Sequence, residues 1–285
     1  MNWSRARTIL IVSFLALDLF LGYVAFGSQH ESSQVTSTEV QRALDRVKAL
    51  GITVTAQIPR RVMAAPFLVI RPRNQDIEAI SGRLLGTDRP DAVQSSKELS
   101  VWAFQNSRVT VLSTGVVIFT TEAKTGSPGT EVDARSAQAM VLRFLSERGL
   151  LPQDARLDFV ERTGQDSFTV QYYQEYEGTP LFGGYITATV AAWGVSRVRF
   201  LWFNPVGFGT GKRSVVPATD ALVKAVPSIV GKVGAGARLE AMKFGYLSEG
   251  MDAREWDAIP VWRLSFSGGV SVYVNGYTGD VEKVD

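Results

Sequence analysis

The period of the hydrophobic pattern changes several times along the chain, and each change marks an element. Thr8–Phe26 is an apolar run of 19 residues that carries one charge, Asp18. A helix needs about 20 apolar residues to cross a bilayer, so this run reads as a transmembrane helix. Arg5 and Arg7 precede it, while Gln29, His30 and Glu31 follow it. Basic residues favour the cytoplasmic side, which puts residues 1–7 in the cytoplasm and the remainder outside. A cleaved signal peptide has a shorter apolar core and a small-x-small cleavage site. Here Phe26 interrupts the small residues of "YVAFGS", and an uncleaved anchor over 8–26 is expected. The polar stretch 27–35 then forms a tether.

Beyond the tether the period becomes helical. Thr36 and Glu39 have capping-box spacing, and Val40, Ala43, Leu44 and Val47 share one face. Alternation at period 2 predicts strands in "APFLVIRPR", "LSVWAFQ", "RVTVLS" and "GVVIFTTE", with a short helix in "NQDIEAISGRLLG". These elements suggest an α+β domain over 36–126 with an antiparallel sheet. "AKTGSPGTEVD" is the clearest boundary signal. After it, a helix capped by Asp133 carries the stripe Ala137, Met140, Val141, Phe144 and Leu145, and strands follow. A second helix, "TDALVKAVPSIVGKV", contains Pro227, which predicts a kink, and more strands follow it. The quartets "RLDF" (156–159) and "RLEA" (238–241), and "TPLF" (179–182) and "IPVW" (259–262), recur at offsets of 82 and 80. The expected second region, 131–285, is therefore two related helix-plus-sheet units, 131–210 and 215–285. The overall fold class is α+β: one transmembrane helix, then extracytoplasmic antiparallel-sheet-plus-helix units.

Composition narrows the function. Thirty Lys and Arg against 28 Asp and Glu give a net charge of +2, which argues against a nucleic-acid partner. The absence of cysteine removes disulfides, thiolate metal sites and thiol nucleophiles. The one histidine, His30, lies beside the proposed span, far from any triad. No calcium-loop pattern is present. "GFGTGKRS" (207–214) imitates a phosphate loop, but Arg213 stands where Ser or Thr must hold Mg²⁺, so a linker between units is expected. No metal, cofactor or catalytic residue is assigned.

Two candidate surfaces remain. Paired acids can cleave glycosides, and Glu175, Glu177, Asp252, Glu255 and Asp257 would serve an extracytoplasmic cell-wall hydrolase; solvated loop charges are much the commoner explanation, which weighs against an enzyme. Strands "SFTVQYYQEY" and "VRFLWFNPVGF" are apolar on both faces. Either they are covered twice, or Tyr173 on the first and Leu201 and Phe203 on the second face a partner.

The opening "MNWSRARTILIVSFLALDLFLGY" resembles the start of YycI-type proteins, membrane-anchored regulators of an essential two-component system in low-GC Gram-positive bacteria. The resemblance lies in Asn2-Trp3-Ser4, the basic residues 5 and 7, Thr8-Ile9, Phe14 and Leu17-x-Leu19-Phe20-Leu21. The ending "VYVNGYTGDVEKV", with the helix before it, is similar to a PepSY module. The resemblance implies a non-catalytic membrane protein that binds a sensor histidine kinase and a related YycH-type anchored regulator, without cofactor. Contacts between transmembrane helices would carry the control of a cell-wall programme. Family members often place an amide where this chain has Asp18. Phe14, Leu17, Asp18 and Leu21 share a helix face, and this face is expected to meet the partner. A PepSY-like protease inhibitor or chaperone is the further alternative.

Overall fold

The computed structural model describes residues 14, 17–18, 34–73, 76–122, 132–234, 236–251 and 253–285. Among the described residues no helix is long and apolar enough to cross a membrane, and the expected span 8–26 and tether lie almost entirely outside them. The described chain is α+β, mostly sheet, with four helices beyond residue 34.

Helix α1 (Ser37–Ala49) begins at the expected capping box: the Glu39 amide donates to Thr36 Oγ1, and the Thr36 amide donates to the Glu39 carboxylate. Its apolar face buries Val40, Ala43 and Val47. Strands β1 (Thr53–Val54), β2 (Ala64–Ala65) and β3 (Leu68–Pro72) follow. Helix α2 (Ile77–Leu85) is capped by Asp76 and stopped by Gly86 at φ +70°, a conformation glycine adopts without strain. It leads into the four-stranded meander β4 (Asp91–Ser95), β5 (Leu99–Phe104), β6 (Ser107–Leu112) and β7 (Val117–Thr121).

The same plan recurs twice. Helix α3 (Ala134–Glu147), capped by Asp133, precedes β8 (Ala155–Gly164), β9 (Ser167–Tyr176), β10 (Thr179–Ala191) and β11 (Gly194–Leu201). Strands β12 (Phe203–Phe208) and β13 (Arg213–Ser214) intervene. Helix α4 (Ala218–Val233) then precedes β14 (Arg238–Leu247), β15 (Trp256–Phe266), β16 (Ser271–Asn275) and β17 (Val281–Val284). Pro227 sits on the exposed side of α4, and the helix continues through it. "RLDF" and "RLEA" both begin the first strand after a helix. "TPLF" opens a third strand, however, while "IPVW" lies in a second, so only the first pair of quartets marks equivalent positions.

Hydrogen bonds cross the expected boundary near 127–130. β7 pairs with β11, last strand to last strand, and makes one eight-stranded surface from the first two meanders. Helices α2 and α3 share its core with Val109, Phe119, Val170, Val198 and Trp202. The rest of 36–126 goes elsewhere. β1 pairs with β14, β3 lies between β12 and β15, and Val40, Val47 and Ile52 pack with Leu222, Val226 and Ile229 of α4. Residues 36–126 thus do not close a sheet of their own. The "GFGTGKRS" linker is likewise drawn into structure, because β12 and β13 pair with β3 and β2.

Candidate functional site in the cleft between two meanders

The second and third meanders meet at β10. Along Tyr185–Ala191 this strand pairs with β11, but at Leu181 it pairs with Tyr246 of β14. The switch needs the sequence Gly183-Gly184. A Cβ at Gly183 would overlap the Ser248 carbonyl, and one at Gly184 would collide with Gln174. Beside this junction, in the continuous sheet that joins the two meanders, lies a cleft of about 590 Å³. Tyr185, Thr187 and Arg199 line one wall, and Ser271, Tyr273 and Lys283 line the other. Phe159, Gly269 and Ser271 continue it into a recess of about 310 Å³ that reaches Asp158 and Arg263.

Asp158 and Arg263 form a buried ion pair between β8 and β15, with side chains only 3% and 5% exposed. The two guanidinium nitrogens bind the two carboxylate oxygens, Nη1 to Oδ2 at 2.6 Å. The guanidinium lies 4.6 Å from the centre of the Phe182 ring. Gln171 Nε2 donates to Asp158 Oδ2 at 3.2 Å, and Thr187 Oγ1 donates to Gln171 Oε1 at 3.2 Å. A polar chain therefore runs from the cleft wall to the ion pair. Burial works against the charge on Arg263, but the Asp158 hydrogen bond and charge outweigh it and raise its pKa. Burial also raises the Tyr273 phenol, and it raises Tyr173 with help from Glu175 and Asp158, so both are neutral hydroxyls near pH 7. The arrangement ties the second meander to the third and offers hydroxyls and an exposed Arg199 to a ligand. Among the described residues no three His, Asp or Glu side chains converge to hold a metal.

The expected partner face is not an outer surface. Leu201 and Phe203 are 5% and 3% exposed and pack with Leu68, Ile70, Val116 and Tyr246. The reason is Gln174, whose buried amide donates to Phe203 O and Asp154 and accepts from the Phe203 amide, while Trp202 Nε1 also donates to Asp154. This clamp turns the chain so that β3 covers the second face. The strand is covered twice, and the partner reading of Leu201 and Phe203 is corrected. Tyr173 is half-buried in a different place, against Phe182 at 6.2 Å between ring centres, with Lys243 over its ring.

The loop acids are scattered. Glu175 pairs with Arg156 at 3.0 Å and Glu255 with Arg71 at 2.7 Å. Glu177 is exposed in a turn at φ +47°, Asp257 lies beside Val69 in the sheet, and Asp252 lies outside the described residues. Phe14, Leu17 and Asp18 are helical and exposed, and Leu21 lies outside the described residues. Sequence reasoning missed Asp158 and Arg263. Little signal was present: in "VWRLSF" Arg263 shares a face with Val261 and Ser265 opposite Trp262, Leu264 and Phe266, the alternation of an ordinary half-exposed strand.

The YycI protein family model matches residues 28–277. The chain belongs to the YycI family. No curated protein matches significantly. Among solved structures, an uncharacterized protein from Eubacterium rectale ATCC 33656 is similar at 9% identity with a TM-score of 0.51, covering 86% of this chain and 99% of that one. Its likeness concerns the fold. The Bacillus megaterium YpeB C-terminal domain aligns at 10% identity with a TM-score of 0.40, covering 75% and 98%.

Proposed function

We propose that this YycI-family chain is a membrane-anchored, non-catalytic regulator of a two-component system controlling cell-wall metabolism. It acts by binding the membrane sensor histidine kinase and a related YycH-type anchored protein. The family match over 28–277 carries the reading. The apolar run 8–26 supports the anchor, with the N-terminus in the cytoplasm and the folded region outside. An ionisable residue near the middle of a span costs roughly 2.5–3.5 kcal/mol on insertion scales and usually faces a helix partner. Asp18, with Phe14, Leu17 and Leu21, is the contact face in this proposal.

The test compares the full chain with Asp18→Leu in detergent co-purification and in kinase-dependent transcription. The variant should insert at least as well as the parent, retain less kinase and YycH-type protein, and change the output. Unaltered co-purification and transcription would reject the helix contact.

A further inference from the structure

Two distant segments, 59–73 and 203–216, lie side by side as a ribbon. β12 runs antiparallel to β3 and β13 to β2, and the Val215 amide donates to Met63 O. Together they contain Arg60, Arg61, Arg71, Arg73, Lys212 and Arg213, and not one Asp or Glu, in a chain whose net charge is only +2. All six cations are exposed. Among the described residues, acids near the ribbon come from neighbouring elements: Glu255 neutralises Arg71, Asp257 pairs beside Val69, and Asp76 caps α2. On the outer side of β12, Asn204 lies opposite Arg71, and Val206, at the bulge between Pro205 and Gly207, is 46% exposed; Phe208 lies opposite buried Leu68 and packs on Tyr176 and Tyr246, and Thr210 is exposed just beyond the strand.

The position of the ribbon gives this face its meaning. Gln34 bridges to Arg61, and the Val35 amide donates to Arg60 O, so the chain coming from the N-terminal run joins the fold at the basic end of the ribbon. Seven residues, 27–33, separate the proposed span from Gln34. Fully extended they reach about 25 Å. The basic end must therefore lie within that distance of the bilayer.

We propose that the outer face of the ribbon docks on an anionic lipid surface, the phosphate-bearing headgroup layer of the membrane that holds the anchor. The proposal rests on the anchor reading above. Exposed arginines and lysine meet phosphates, and Val206 reaches the boundary between headgroups and acyl chains. Docking would fix the orientation of the folded region relative to the partner helices.

Because the chain lacks cysteine, one fluorophore can be placed at Thr210→Cys in the full chain and another, for comparison, at Asp166→Cys in the β8–β9 turn. The probe is a vesicle rich in phosphatidylglycerol that contains headgroup-quencher lipid. The label at 210 should be quenched far more than the label at 166. Quenching should weaken severalfold in pure phosphatidylcholine, in high salt, and in an Arg60→Gln/Arg61→Gln/Lys212→Gln/Arg213→Gln variant. Equal quenching at both sites, or no change in the quadruple variant, overturns the proposal. A chain that an alkaline wash strips from vesicles overturns the anchor reading as well. A chain that stays attached but is unquenched at 210 overturns the ribbon proposal alone. A label at 210 that is unquenched by lipid alone and becomes shielded only when kinase is added assigns the face to a protein partner and also overturns it.

Discussion

The part of the molecule built from residues 76–202 and the part built from 34–65 and 215–284 each close a substantial core, by opposite routes. In the first, α2 and α3 cover meanders that follow them directly, and every core residue comes from one continuous stretch. In the second, α1 and β1 pack against α4 and β14, almost 200 residues later. A helix-plus-meander plan is thus self-sufficient when two copies join edge to edge. The third copy instead recruits the N-terminal segment.

Fragments break this comparison most severely. A piece covering 76–203 should melt cooperatively, since it retains its whole core, whereas 36–126 should show no cooperative transition by circular dichroism. A cooperative melt for 36–126 would refute the assembly described here. Next comes the ion pair that locks the two parts together. Arg263→Met or Asp158→Leu alone should cost about 3–5 kcal/mol by urea denaturation, because one buried charge is left unpaired. The double variant should recover most of that loss. Gly183→Ala, which strikes the β10–β14 crossing but neither core, should cost about 1–3 kcal/mol in the same measurement.

Proton-linked effects are smaller and sharpen the contrast. Burial, with the nearby Tyr277, pushes Tyr246 up to about 12, and its hydroxyl donates to Pro66 O at 3.0 Å. A raised phenol contributes stability that is complete below its unfolded value near 10 and is lost as pH rises towards 12. Tyr246→Phe should shift alkaline unfolding, followed by phenolate absorbance. The smallest effects belong to the caps. Hydrogen bonds from Thr36 lower Glu39, and those from Ser136 lower Asp133. Their contribution is present above the unfolded carboxylate values and fades as pH falls through the lower folded ones. Asp133→Asn should flatten the acid limb of the 76–203 fragment, while Glu39→Gln should act only on the whole chain.

Most helices and strands were legible because their signals are local. The caps at Thr36 and Asp133 and the stripe on α3 need only neighbours a few residues away. The exposed edge strand β4 was missed because all five of its residues face solvent and show no alternation. Leu201 and Phe203 were misplaced for a different reason. A strand apolar on both faces states that both are covered, but not whether β3 or a partner covers the second. The Asp158–Arg263 pair has the same character, since each charge is visible alone and only folding joins them over 105 residues.

By itself, the sequence determined the apolar run 8–26, the helix caps, the meander strands and the membership of the chain in its family, all properties of short-range pattern or of similarity along the chain. Only the tertiary structure decided that 36–126 is divided between two cores, that a glycine pair carries β14 across β10, and that two acid-free segments form one basic ribbon. Those outcomes depend on which strand edges and apolar faces find each other. A period of 2 or 3.6 specifies that a face must be buried, but leaves its partner to the global packing.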